Sequence, residues 1–193
     1  MMSDKPGRII GQGEGRVLHA FGEEITMLLD GECTAGKFAM WTEVTPPGGG
    51  PPPHYHLNEE ELFHVISGRV GFLLNDNWHE VGPGGTAFMP LGVVHTFKNV
   101  GDQSSNMLVM TMPSGIEKFF EHCAGEFARP GKPDMSRIIE IGAEHGIHFV
   151  LEIVPLRRQL KAPEHWRTPK RSRLFRRFLG TLAFWSATLL RRF

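Results

Sequence analysis

Four side chains in this sequence could do chemistry together. His54 and His56 stand two apart in PPPHYHLNEEELFHVISG (residues 51–68), Glu61 follows in the same stretch, and His95 lies in GGTAFMPLGVVHTFKN (84–99). Imidazole and carboxylate donors together suit a divalent transition metal: Fe, Mn, Co, Ni, Cu or Zn. No thiolate accompanies them, which weighs against a structural zinc site. The competing reading of the 51–68 stretch is a solvated turn between strands.

The metal reading depends on backbone that aims the four donors at one point. If His54 and His56 lie on a strand, residues two apart share a face, with a separation of about 7 Å along the backbone. The preceding PPGGGPPP cannot form helix and holds the approach extended. In the next strand Glu61 shares a face with Phe63 and Val65, while Leu62, His64 and Ile66 share the other. An inward Glu61 is a buried carboxylate, costly without a partner, and a cation beside it removes that cost. His95 alternates with Phe97 and Asn99 on a third strand. His64 is expected to point away. Glu59 and Glu60 are expected to be solvated turn acids, although Glu60 replaces Glu61 under a one-residue shorter spacing.

Around these residues the chain reads as strands. From about Val17 to Met112, short apolar or alternating runs (EITMLLD, KFAMWTEV, ELFHVI, RVGFLL, WHEV, TAFM, VHTFKNV, NMLVMTM) are mostly separated by Gly, Pro, Asn or Asp. Asn75-Asp76-Asn77 is a hairpin turn. About eight strands in so short a span indicate a closed barrel or a double-sheet jelly roll. After Pro113, SGIEKFFEHCAGEF and DMSRIIEIGAEHG read as helices, the first with a Ser cap and the second stopped at Gly146. IHFVLEIV is extended. GQGEG at 11–15 lacks the spacing and the preceding strand of a dinucleotide motif.

Taken together, Gly48, His54, His56, Glu61 and Gly68, then Gly84, Pro90, Gly92, His95 and Asn99, match both motifs of the cupin superfamily, position by position. The sequence therefore resembles a single-barrel cupin (a monocupin). The flanking segments GRVLHAFGEEITMLLDG and MPSGIEKFFEHCAGEF are similar to cupins of the quercetin 2,3-dioxygenase type. The resemblance implies an all-β antiparallel double-stranded β-helix with C-terminal helices. It also implies one divalent metal held by His54, His56, Glu61 and His95, and a dioxygenase in which Glu61 acts as catalytic base. A non-catalytic metal or small-molecule binder and a metal-dependent isomerase are the alternatives.

The substrate expectation comes from charge. Residues 36–112 hold only Lys37, Arg69 and Lys98 as cations, with no Arg pair to clamp a phosphate or dicarboxylate. That favours a neutral aromatic or enol-type molecule. Apolar lining is expected from Phe38, Met40, Phe63, Val65, Phe72, Phe88, Met89, Phe97 and Met110.

Formal net charge is zero, but it is unevenly spread. Residues 1–155, the expected barrel domain with its flanking segments, carry 10 Lys/Arg and 20 Asp/Glu. Residues 156–193 carry 11 Lys/Arg and the single acid Glu164, and form an expected basic amphipathic tail. Its weakly polar stretch, Phe178 to Leu190, is shorter than the roughly 20 residues a bilayer span needs. Residues 170–193 are read as an amphipathic helix that contacts an anionic membrane surface or packs on protein. No recognition motif accompanies the charge, so nucleic acid is not expected. The N-terminus lacks a secretion pattern, and Cys33 and Cys123 lack disulfide-framework spacing. The expectation is a cytoplasmic protein, peripheral to a membrane through the tail, and a homodimer that covers its strand edges.

Overall fold

The structure is a computed structural model, and it describes residues 7–150. The chain divides into two units, Met1–Phe149 and Val150–Phe193. The basic tail at 156–193 lies outside the described residues, as do Leu151–Val154, the end of the expected extended run.

Among the described residues, eleven strands and three helices follow in order. They are β1 (Arg16–Ala20), β2 (Glu23–Leu29), α1 (Gly31–Thr34), β3 (Ala39–Thr45), β4 (His54–His56), β5 (Glu60–Ser67) and β6 (Val70–Leu74). Then come β7 (Asn77–Val81), β8 (Thr86–Met89), β9 (His95–Asn99), β10 (Ser105–Met112), α2 (Ile116–Phe127), α3 (Met135–Glu144) and β11 (Ile147–Phe149). A six-stranded sheet runs β1-β2-β3-β10-β5-β8, and a five-stranded sheet runs β11-β4-β9-β6-β7. Every pairing is antiparallel. This is the jelly-roll arrangement with C-terminal helices, built as two packed sheets. β1 and α1 add to the expected elements, and β4 is the strand on which the argument for His54 and His56 depended.

Alternation decides which residues reach the space between the sheets. β3 buries Ala39, Trp41, Glu43 and Thr45, and β5 buries Glu61, Phe63 and Val65. β10 buries Ser105, Met107, Val109 and Thr111. Four of the residues expected to line the cavity therefore lie in the opposite phase. Phe38, Met40 and Met110 are only partly buried, and Phe88 is exposed. Trp41 supplies the bulk in place of Met40, and it can do so because its indole N–H finds a buried acceptor in Glu43.

The turns do what their residues demand. Asn75 and Asp76 both take positive φ, 50° and 62°, as a two-residue hairpin between twisted strands requires. Gly50 has φ +142°, and its missing Cβ lets the backbone lie against the Phe97 carbonyl of β9. That contact places the 51–56 segment beside β9.

The two longer helices start differently. Asp134 caps α3, accepting from the Ser136 and Arg137 N–H groups. Ser114 does not cap α2, whose N-cap is Gly115. The Glu117 carboxylate reaches back instead, taking the Gly115 N–H at 2.7 Å and the Gly31 N–H at 3.0 Å. Both cysteines are free thiols, and burial pushes the Cys123 thiol up to about 12.

Candidate metal centre

β4 contributes His54 and His56, which alternate inward on either side of the half-exposed Tyr55. β9 pairs with β4 so that His95 is directly opposite His54. Glu61 enters from β5 on the other sheet, with Thr111 and Met89 as its neighbours across the strands. All four are buried, and each offers a ligand atom within 4.8 Å of the others. Donor atoms gathered this closely could hold one divalent ion between them.

The ring nitrogens are already sorted. His54 Nδ1 lies 2.9 Å from the Pro52 carbonyl oxygen, and His95 Nδ1 lies 2.8 Å from that of Val93. Each Nδ1–H donates to a carbonyl, which leaves Nε2 as the ring atom available to a metal, the arrangement that orients metal-binding imidazoles. Burial, and then the neighbouring His95 and His56, hold the His54 pKa well below the usual imidazole value. His54 is therefore neutral, the form a metal needs. His95 Nε2 is 3.1 Å from Glu61 Oε2, and His56 Nε2 is 3.8 Å from the same oxygen.

His56 provides the fit test. Its side chain is 3% exposed, yet neither ring nitrogen has a hydrogen-bond partner. Buried polar atoms are seldom left so, and a cation bound at Nε2 accounts for one of them. Glu59 accounts for the other. Its Oε2 lies 3.5 Å from His56 Nδ1, beyond a good hydrogen bond but close enough for strong attraction. Glu59 is not the solvated acid expected from the sequence: it is 4% exposed, and its Oε2 has no other partner. It stands behind His56 as a carboxylate stands behind a metal-bound imidazole. Burial works to lower the His56 pKa, but Glu59 and Glu61 outweigh it and the net shift is upward. Glu60 is exposed, and His64 faces out to Thr86, 3.0 Å from its hydroxyl, both as expected.

The cluster opens into a cavity of about 40 Å³ walled by Phe63 and Phe97 of the sheets, Ile116, Phe119 and Phe120 of α2, and Ile147 and Phe149 of β11. Two further carboxyl groups line it, Glu23 and Glu43, which the sequence did not single out. Glu23 is 5% exposed and Glu43 is 4% exposed. Burial, followed by the charge and hydrogen bond of Glu43, raises the Glu23 pKa well above the carboxylate range. Burial also raises Glu43, against the hydrogen bonds it accepts from Glu23 and Trp41.

Two antiparallel sheets enclosing three histidines and a glutamate define a cupin-type centre. Residues 41–111 match the family model described as Cupin domain, so this stretch of the chain is a cupin domain. An uncharacterised protein of Methanocaldococcus jannaschii is 26% identical over 77 residues, 40% of this chain and 62% of the relative. The match thus spans less than two thirds of that curated relative's length. Among solved structures, KdgF from Halomonas sp. superposes with a TM-score of 0.53 at 14% identity, covering 58% of this chain and 99% of that one. A predicted oxalate decarboxylase from Thermotoga maritima gives a TM-score of 0.51 at 21% identity, over 55% and 99% of the two chains. These likenesses show a shared fold. No helix of the described residues is long and apolar enough to cross a membrane.

Proposed function

We propose that this cupin is a metal-dependent enzyme acting on a small neutral molecule with an enol or hydroxyl group, with dioxygenation as the first reaction to assay. The observation that carries the reading is the buried convergence of His54, His56, Glu61 and His95, in which both His56 nitrogens lack a hydrogen bond. A divalent metal held there would supply Lewis acidity toward a substrate hydroxyl. The Glu61 carboxylate is the base nearest that hydroxyl and takes its proton. The carbonyls of Pro52 and Val93 hold the His54 and His95 rings so that Nε2 of each could bind that metal. The phenylalanine wall excludes water from the reacting face.

Cavity size narrows the substrate. A volume of about 40 Å³ holds a few water-sized groups, against the roughly 300–1,000 Å³ that encloses drug-sized ligands. A flavonol enters only if aromatic wall residues move, so compact enols and diketones fit better than the larger quercetinase substrates. The buried acid pair Glu23–Glu43 favours a second reading, isomerisation by proton transfer, because such chemistry needs a proton reservoir beside the substrate.

Elemental analysis of natively purified protein identifies the metal. An oxygen electrode then follows the loaded protein with compact enols, diketones and flavonols. Oxygen uptake that disappears in His95→Ala supports the dioxygenase. Product formation without uptake supports the isomerase. Metal binding with neither outcome leaves a binding protein and removes the enzymatic reading.

A further inference from the structure

A second pair of metal-ligating side chains meets outside the buried cluster. His122 is exposed on α2, and His145, half-buried, is the C-cap of α3. His122 Nδ1 and His145 Nε2 approach to 3.0 Å, with ring centroids 5.0 Å apart and ring planes at 59°. Only one proton fits between two such nitrogens, so one of them presents a lone pair to the other. Two nitrogens on one ion, with bonds of about 2.1 Å, lie about 3.0 Å apart at a right angle and about 3.4 Å apart at the tetrahedral angle. The two donors already stand at the spacing of a two-point clip.

One of them is held in place before any ion arrives. The His145 backbone N–H donates to the Ile141 and Gly142 carbonyls, at 3.2 and 3.0 Å. Its own carbonyl accepts the Asn58 side-chain amide at 3.0 Å. Its ring stands edge-on to Phe119, with centroids 6.3 Å apart. Such preorganisation reduces the ordering cost of binding. Burial, then the neighbouring His122 imidazole, holds the His145 pKa below the usual imidazole value, against the upward pull of Glu144 and Glu59. A neutral ring is what a metal takes, and those two carboxylates favour a cation beside it.

We propose that His122 and His145 form a second metal site, at the protein surface, which takes Zn(II), Cu(II) or Ni(II) and clips α2 to the corner where α3 gives way to β11. Imidazole donors select these ions over Mg(II) and Ca(II), which take oxygen ligands. The clip bears on the chamber because the elements it joins wall it: α2 supplies Ile116, Phe119 and Phe120, and β11 supplies Ile147 and Phe149. An ion here restrains that wall from outside. The site uses none of the four buried donors, so it stands independently of the reading of that centre.

The test adds Zn(II) to the natively purified full chain and counts all bound metals by elemental analysis after gel filtration in zinc-buffered solution. The wild type carries two ions per chain. His122→Gln and His145→Gln each carry one, with the affinity for the second ion at least tenfold weaker. His79→Gln, at an exposed position on β7, keeps both. Glutamine at 122 still offers His145 a hydrogen-bond partner, and melting temperatures without added zinc confirm folding. Hydrogen exchange of the α2 amides, residues 116–127, slows with the second ion in the wild type and not in His122→Gln. A second ion bound with unchanged affinity in both variants overturns the site, as does its absence from the wild type. Binding without slower exchange overturns the clip. His95→Ala separates this site from the buried centre. A single ion lost in His122→Gln but kept in His95→Ala removes the buried centre and leaves the surface site standing, and the reverse pattern removes the surface site.

Discussion

Replacing Glu59 with Gln removes a charge while keeping nearly the same shape, and it tests whether the metal centre extends beyond its four donors. Glu59 Oε2 lies 3.5 Å from His56 Nδ1, with both side chains under 5% exposed. Two full unit charges at that distance attract by about 5 kcal/mol at an effective dielectric of about 20. A metal-bound imidazole carries only part of a unit charge, so the carboxylate's share is smaller. Carboxylates behind metal-bound histidines typically contribute about 10–100-fold in affinity, or roughly 1.4–2.8 kcal/mol. Glu59→Gln should therefore weaken metal binding by about 10–100-fold. Glu60→Gln, one residue along and exposed, should leave it unchanged. The assay is competition for Zn(II) or Co(II) against a chromophoric chelator at fixed pH, with melting temperatures to confirm folding. Affinity within twofold of the wild type in a folded Glu59→Gln protein would refute the reasoning, as would an equal loss in Glu60→Gln.

Three other outcomes are expected. Glu23 has a folded pKa well above its unfolded value, so its contribution to stability is fully present below the ordinary carboxylate pKa of about 4.3 and is lost as pH rises toward the folded pKa. Glu23→Gln should therefore flatten the fall in melting temperature from about pH 5 to 8, and should melt higher than the wild type at pH 8; parallel curves for the two proteins would contradict this. Gly50→Ala puts a Cβ against the Phe97 carbonyl at φ +142° and should cost about 2–5 kcal/mol in urea unfolding, whereas Gly125→Ala, with open space around it, should not destabilise. Removing residues 170–193 should abolish flotation with anionic liposomes, and equal flotation of both forms would remove the membrane-surface reading.

The four metal-ligand candidates were legible because each sits on a short alternating strand beside residues with one clear role. His54 and His56 follow a proline run, Glu61 is in phase with Phe63 and Val65, and His95 is in phase with Phe97. Strand phase was not legible where both faces are apolar. In NMLVMTM the four residues Met107–Met110 are all apolar, so nothing among them distinguishes the buried Val109 from the half-exposed Met110. Glu43 was missed because alternation arguments send carboxylates outward. Its partner was visible all the same: Trp41 is two residues away on the same face and needs an acceptor for its indole N–H. Glu59 was missed for a different reason. Its partner His56 is three residues away across a turn, and only the folded turn brings the two together.

The floor and roof of the ligand chamber come from different parts of the chain. The donors stand on sheet strands, while Ile116, Phe119 and Phe120 belong to α2, a helix appended after the last strand of the six-stranded sheet. Chamber size and bond-making chemistry can therefore diverge separately over evolution. A shorter side chain at Phe119 or Phe120 would admit bulkier guests without disturbing a single donor atom.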